Sequence, residues 1–208
     1  MPVVLTSALT KARSAKKRRR TVVIAAAATV VLLAVVLAVT LTSSGLPSGE
    51  TYVDGNSNAV LYSAGHRAQV PDFAGTSLTG TPLRFADYRG KVVVMNFWGS
   101  WCPPCRSEGP TLAAVSAKYL HDGVSFLGVD ENDTPANAKA FELGAGITYP
   151  SLNDPGYLVA QDIGSAIPIN DTPTTLVIDG TGHVAGAIFG AATYSVLETI
   201  LRTVVVPR

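Results

Sequence analysis

Val92-Val93-Val94-Met95-Asn96-Phe97-Trp98-Gly99-Ser100-Trp101-Cys102-Pro103-Pro104-Cys105 decides how this chain is read. Val92 to Phe97 is a nearly continuous apolar run, the pattern of a strand buried on both faces. Two prolines then stand where a helix begins, a position that tolerates proline because the first helical amides have no partner in any case. Cys102 and Cys105 are the only cysteines among 208 residues. A Cys-x-x-Cys pair between a strand and a helix start is a redox-active dithiol. At a helix N-terminus, unpaired amides and the helix dipole stabilise an anion, so Cys102 is expected to have a lowered pKa and to be the nucleophile. A structural staple is a poorer reading, because closing so small a loop adds little stability. Zinc needs about four ligands. No second cysteine pair exists and His66, His121 and His183 are scattered, so no metal or other cofactor is expected.

Upstream, charge and hydropathy are unevenly spread. Residues 1–20 hold seven basic side chains and no acidic one, which leaves nine basic and fifteen acidic residues in the rest, a net charge of −6. An acidic folded part argues against nucleic acid as a partner. The basic run Lys16 to Arg20 is followed by residues 21–42, a stretch of 22 residues without a charge and rich in Val, Ala and Leu. That length spans a bilayer as one helix, and the basic flank keeps the N-terminus cytoplasmic. A cleavable signal peptide is the competing reading, supported only by the weak site Ala38-Val39-Thr40. The expected organisation is a basic cytoplasmic tail over 1–20, a transmembrane signal anchor over 21–42, a flexible linker over 43–68 and a folded domain over 69–208. Ala59 to Tyr62 within the linker reads as an edge strand.

Downstream, the pattern alternates between helix and strand. A short hairpin is expected between Val70 and Phe85. The helix from Pro103 runs to about His121, with Leu112, Val115 and Tyr119 at helical spacing. Val124–Val129 is a second buried strand. A helix opens at Thr134-Pro135, where Thr134 is the N-cap, and closes at Gly144 or Gly146. Tyr149–Leu152 reads as a short strand and Tyr157–Ile163 as a short helix. Thr174–Ile178 and His183–Phe189 are strands joined by the hairpin signal Asp179-Gly180-Thr181-Gly182. Thr193 to Val204 is the last helix. This order implies an α/β domain with a mixed central sheet flanked by helices.

Over about 70–206 the chain resembles the TlpA/ResA branch of the thioredoxin-like family, membrane-anchored extracytoplasmic thiol–disulfide oxidoreductases. The resemblance is carried by Val70-Pro71-Asp72-Phe73, Gly90 to Trp98, Trp101 to Cys105, Glu108-Gly109-Pro110, and Thr172-Pro173-Thr174-Thr175 before Val177-Ile178-Asp179. It implies a thioredoxin-like fold with an extra helix and strand between Asp130 and Ile163. It implies that the Thr172-Pro173 peptide is cis and faces the disulfide, with Thr172 against the sulfurs. Trp101, Pro103, Thr172 and Glu108 are then candidates for contact with substrate, Glu108 as a surface or rim group. Cytosolic thioredoxins carry a buried aspartate six residues before the first cysteine; here Asn96 stands there. The branch supplies its acid from the insert after the second strand, for which Glu131 and Asp133 are candidates.

The reaction implied is dithiol–disulfide exchange, with Cys102 attacking and Cys105 resolving. Outside the membrane a reductant needs electrons from a membrane thiol relay. The resemblance implies apocytochrome c as a client, kept reduced during cytochrome c maturation. Three other functions compete. An oxidant runs the same chemistry in reverse. A thiol peroxidase fits the Val-Pro-Asp-Phe opening, but its Thr or Ser three residues before the cysteine is Gly99 here. An anchored binding module would hold clients without turnover.

Overall fold

The computed structural model describes residues 49–53, 58–164, 167, 169 and 171–205. The basic tail and the apolar stretch 21–42 lie outside the described residues, among which no helix is long and apolar enough to cross a membrane. In chain order the elements are β1 (Glu50–Tyr52), β2 (Ala59–Tyr62), β3 (Ala74–Thr76), β4 (Pro82–Arg84), β5 (Val92–Trp98), α1 (Pro103–Tyr119), β6 (Val124–Glu131), α2 (Pro135–Ala145), β7 (Ser151–Asp154), α3 (Leu158–Gly164), β8 (Thr174–Ile178), β9 (Val184–Phe189) and α4 (Tyr194–Val204). Seven strands form one sheet in the order β1-β2-β9-β8-β5-β6-β7, and β3 pairs with β4 as the expected hairpin.

β5, β6 and β7 are parallel, while β8 runs antiparallel to β5. That pairing sets Thr174 beside Phe97. The start of β8 therefore lies next to the end of β5, where the cysteines follow. Side chains alternate across β5. Val93, Met95 and Phe97 join a core layer with Val159 and Ile163 of α3. Val94 faces the opposite layer with Leu112 and Val115 of α1 and Leu197, Ile200 and Leu201 of α4. Trp98 continues that second face and packs with Cys102, Cys105 and Ala138. Phe141 of α2 lies 4.7 Å from its ring, centroid to centroid.

The helix signals hold. The Thr134 hydroxyl accepts from the Asn137 amide (3.3 Å), and Gly146 ends α2 with φ 73°. Thr193 caps α4 in the same way. Three expectations need correction. The span 43–68 holds more than a linker and the expected edge strand β2, which pairs with β9 over Ala59–Leu61: β1 also lies inside it and pairs with β2. Ala59 and Val60 are buried there, because the β9 edge offers unpaired backbone groups and an apolar surface. β6 runs two residues further than its apolar run, to Glu131, since Asp130 and Glu131 continue the ladder to Asn153 and Asp154. β7 lies two residues later than expected because Pro150 has no amide to donate; the ladder begins at Ser151.

Candidate active site

The site forms where β5 gives way to α1. Cys102 is the N-cap residue of α1, and its sulfur accepts from the Cys105 amide at 3.2 Å. The two cysteines form a disulfide, with Cα atoms 5.3 Å apart. Both cysteines are buried at 1% exposure in this oxidised form. The Thr172-Pro173 peptide is cis, as expected. The Thr172 carbonyl oxygen lies 3.6 Å from Cys102 Sγ. An oxidised sulfur has no proton to give, so this contact becomes a hydrogen bond only in the thiol form.

Trp101 is 48% exposed and forms the rim. Its indole N–H donates to the Glu131 carbonyl at 3.0 Å, tying the cysteine loop to the end of β6. Pro103 is exposed beside it. The two candidate acids separate clearly. Asp133 accepts from the Ser100 amide and the Thr134 amide, both at 2.7 Å, so its carboxylate fastens the loop before the cysteines. Glu131 is 2% exposed and accepts from the Thr172 hydroxyl at 2.6 Å. Burial pushes its carboxyl up, the Thr172 bond pulls it down and Asp154 raises it again. A groove of about 330 Å³ opens on this side, lined by Glu131, Tyr157, Gln161, Ile169, Asp171 and Thr172 among others. A larger cavity of about 710 Å³ lies elsewhere, bordered by Tyr88, Leu120 and Tyr149 and away from both sulfurs.

Glu108 is not the rim group expected from its place after the cysteines. It is 2% exposed, three residues after Cys105 on the same buried side of α1. One carboxyl oxygen accepts from Asn96 Nδ2 at 2.9 Å, the other from the Ala192 amide at 2.6 Å. Asn96 also donates to the Thr175 hydroxyl at 3.0 Å. Burial outweighs both hydrogen bonds and raises Glu108 to about 7. Asn96 thus serves as a donor that positions an acid arriving from α1. Sequence reading missed this because helix phase was not applied to Glu108: Cys105, Glu108, Leu112, Val115 and Tyr119 all lie on the buried face.

A second buried acid was missed altogether. Asp130 has 0% exposure and is paired across the ladder with Trp98. Burial raises it to about 7, assisted by repulsion from Asp133, Glu142, Glu131 and Asp154 in that order.

Comparison with known proteins fits this geometry. The AhpC/TSA family model matches residues 67–187, more than half of the chain. The chain belongs to the AhpC/TSA family. It is 36% identical over 135 residues to the thiol-disulfide oxidoreductase ResA of Geobacillus kaustophilus, covering 64% of this chain and 75% of that protein. It is 39% identical over 118 residues to the thiol:disulfide interchange protein HelX of Rhodobacter capsulatus, covering 56% and 62%. Among solved structures, a DsbF homologue from Corynebacterium diphtheriae matches with TM-score 0.66 and 34% identity, over 74% of this chain and 98% of that one. A secreted thiol-disulfide isomerase from Corynebacterium glutamicum matches with TM-score 0.64 and 30% identity, over 76% and 97%. The fold is thioredoxin-like, and within the family the chain is a ResA-like thiol–disulfide oxidoreductase with its Cys-x-x-Cys motif at Cys102 and Cys105.

Proposed function

We propose that this chain is a membrane-anchored, extracytoplasmic disulfide reductase that keeps Cys-x-x-Cys-His thiols of apocytochrome c reduced for haem attachment. The observation that carries the chemistry is the Cys102–Cys105 disulfide at the start of α1, against the cis Thr172-Pro173 peptide. Location rests on the basic run before the uncharged stretch 21–42. The client follows from the family resemblance.

In the forward direction the Cys102 thiolate attacks one sulfur of a client disulfide. The client S–S bond breaks, and the first client thiolate leaves and takes a proton. Cys105 gives up its proton and attacks Cys102 Sγ, releasing the second client thiolate and closing the Cys102–Cys105 bond. Glu108, one helical turn from Cys105 and raised to about 7, is suited to accept and return the Cys105 proton. Glu131 serves the other side: anchored to the Thr172 hydroxyl, it borders the groove that receives the client chain. Trp101 and Pro103 form the exposed rim the client meets, and Pro173 is the wall opposite the sulfurs. The disulfide is reopened by two electrons from a membrane dithiol protein, itself oxidised to a disulfide.

A second reading is the oxidant direction, in which the same exchange runs in reverse through the same Cys102–Cys105 disulfide. Trapping tests the proposal. Cys105→Ser in membranes is expected to accumulate mixed disulfides through Cys102 that contain apocytochrome c and are released by reductant. Capture of other secreted proteins, with a reduction potential at the oxidising end of the range for Cys-x-x-Cys proteins, would establish the oxidant instead. Absence of any mixed disulfide would leave a binding module.

A further inference from the structure

Six buried side-chain oxygen or nitrogen atoms among the described residues have no hydrogen-bond partner: Trp98 Nε1, both carboxyl oxygens of Asp130, Glu142 Oε1, Ser151 Oγ and Asn153 Oδ1. All of them fall in one patch. Trp98 pairs with Asp130 and Asp130 with Asn153 across β5, β6 and β7, while Asn96, Gly128 and Ser151 form the next row. Paired residues project to the same face of a sheet. It is the face that carries the disulfide, because Trp98 packs with Cys102 and Cys105. Gly128 provides a notch at the centre. A methyl group there would run into the Ser151 hydroxyl and come within 2.7 Å of the Trp98 indole nitrogen. Glu142 enters from α2. Burial raises its carboxyl; the Ser151 hydroxyl lowers it from close by, though neither Ser151 Oγ nor Glu142 Oε1 completes a hydrogen bond.

Buried polar atoms are nearly always paired, so orphans gathered in one place require an explanation. An ionised carboxylate with no donor is costly in a protein interior. Asp130 has no basic side chain among the groups that perturb it; those groups are Asp133, Glu142, Glu131 and Asp154. Its carboxyl therefore changes charge near neutral pH rather than remaining an anion. A thiolate formed at Cys102 places a new negative charge against Trp98, the residue that packs with the cysteines and pairs with Asp130 across the ladder. Two like charges separated by protein disfavour each other's ionisation, and the coupling is reciprocal.

We propose that Asp130 is a positioning residue for the redox pair: acting across Trp98, its carboxylate takes up a proton when Cys102 becomes a thiolate. Written out, two electrons from a dithiol donor break the Cys102–Cys105 bond. One proton goes to Cys105, giving a thiol. Cys102 keeps its negative charge, and the second proton goes to Asp130, converting carboxylate to carboxylic acid. The donor dithiol becomes a disulfide and supplies both protons. Below the pH at which Asp130 titrates, its carboxyl is already neutral in the oxidised protein and only Cys105 takes a proton. The inference depends on dithiol–disulfide chemistry alone and holds in either redox direction and with any client.

Glu108 also titrates near neutrality, so the test must resolve individual residues. The full-length chain, labelled with carbon-13 at aspartate carboxyls, is titrated by NMR in its oxidised form and after reduction with a phosphine. Asp130 is expected to titrate near pH 7 when oxidised and about half a unit to one unit higher when reduced, the size expected of a Coulomb interaction between two like charges separated by protein. In the reduced protein, Asp130→Asn is expected to move the pH profile of Cys102 alkylation by iodoacetamide to lower pH by the same amount. Glu142→Gln is expected to lower the Asp130 titration point while leaving it redox-dependent. The proposal is overturned if Asp130 titrates at the same pH in both redox states. It is equally overturned if Asp130 titrates in the ordinary carboxylate range, or if Asp130→Asn leaves the Cys102 profile unmoved. The NMR arm uses the unmodified protein and decides the matter even if a variant fails to fold.

Discussion

Glu108 and Asp130 are both buried carboxyls on the face of the sheet that carries the disulfide, and both are raised to about 7. Their surroundings are opposite. Glu108 accepts from Asn96 and from the Ala192 amide, one donor for each oxygen. Among the described residues Asp130 has no donor for either oxygen, and it has four acidic neighbours. Equal titration points thus conceal different balances. At Glu108 burial prevails over two favourable bonds; at Asp130 burial and repulsion act together. Glu108 is a fixed acid close to the resolving cysteine. Asp130 is held in place by its strand alone, and its charge is free to respond.

The largest expected effect is on stability against pH. Each carboxyl has a folded pKa above its unfolded value, so the folded state binds the proton more tightly. The associated stability is fully present below the unfolded pKa of about 4 and is lost as pH rises through about 7. A rise of two to three units corresponds to on the order of 3–4 kcal/mol for each group. Urea unfolding of the oxidised full-length chain should show stability falling between pH 5 and pH 8. Asp130→Asn and Glu108→Gln should each flatten that fall; a curve that rises with pH would contradict both assignments.

Alanine substitutions divide the pair more sharply. Glu108→Ala leaves the Asn96 amide and the Ala192 N–H buried without their acceptor, and is expected to cost about 2–4 kcal/mol. Asp130→Ala at pH 8 removes a charge that has no donor, and is expected to be neutral or stabilising. Equal losses at both positions in denaturant midpoints would show that Asp130 has partners after all. A smaller effect probes the notch. Gly128→Ala is expected to cost about 1–3 kcal/mol through overpacking against Ser151 and Trp98, and to change Trp98 fluorescence. Loss of stability without a fluorescence change would place the strain elsewhere.

Much of this was legible beforehand because it is local. A strand, two prolines and a Cys-x-x-Cys fix the redox pair at the start of a helix. Thr134-Pro135 and Thr193 mark helix starts, and each caps the helix it was expected to cap. The acids were harder to read. The apolar run of β6 ends at Val129, so the two acidic residues after it looked like loop, and only one was judged important. Once the ladder extends to Glu131, alternation sends Asp130 and Glu131 to opposite faces. Glu131 reaches Thr172, and Asp130 reaches the Trp98 side. β2 was expected as an edge strand, but β1 was overlooked for a similar reason: a polar, turn-rich stretch becomes sheet only because β2 leaves an edge to be paired.

The redox pair and the order of strands and helices from β5 onward could be read from the chain itself, because each depends on neighbours within a few residues; the cis proline before β8 was implied by the family resemblance. The tertiary structure alone decided which acids serve the pair. A carboxyl's charge depends on how many donors reach it and how much water is excluded. For Glu108 those terms come from Asn96 and Ala192, and for Asp130 from α2, β5 and β7, elements that meet only in the folded domain.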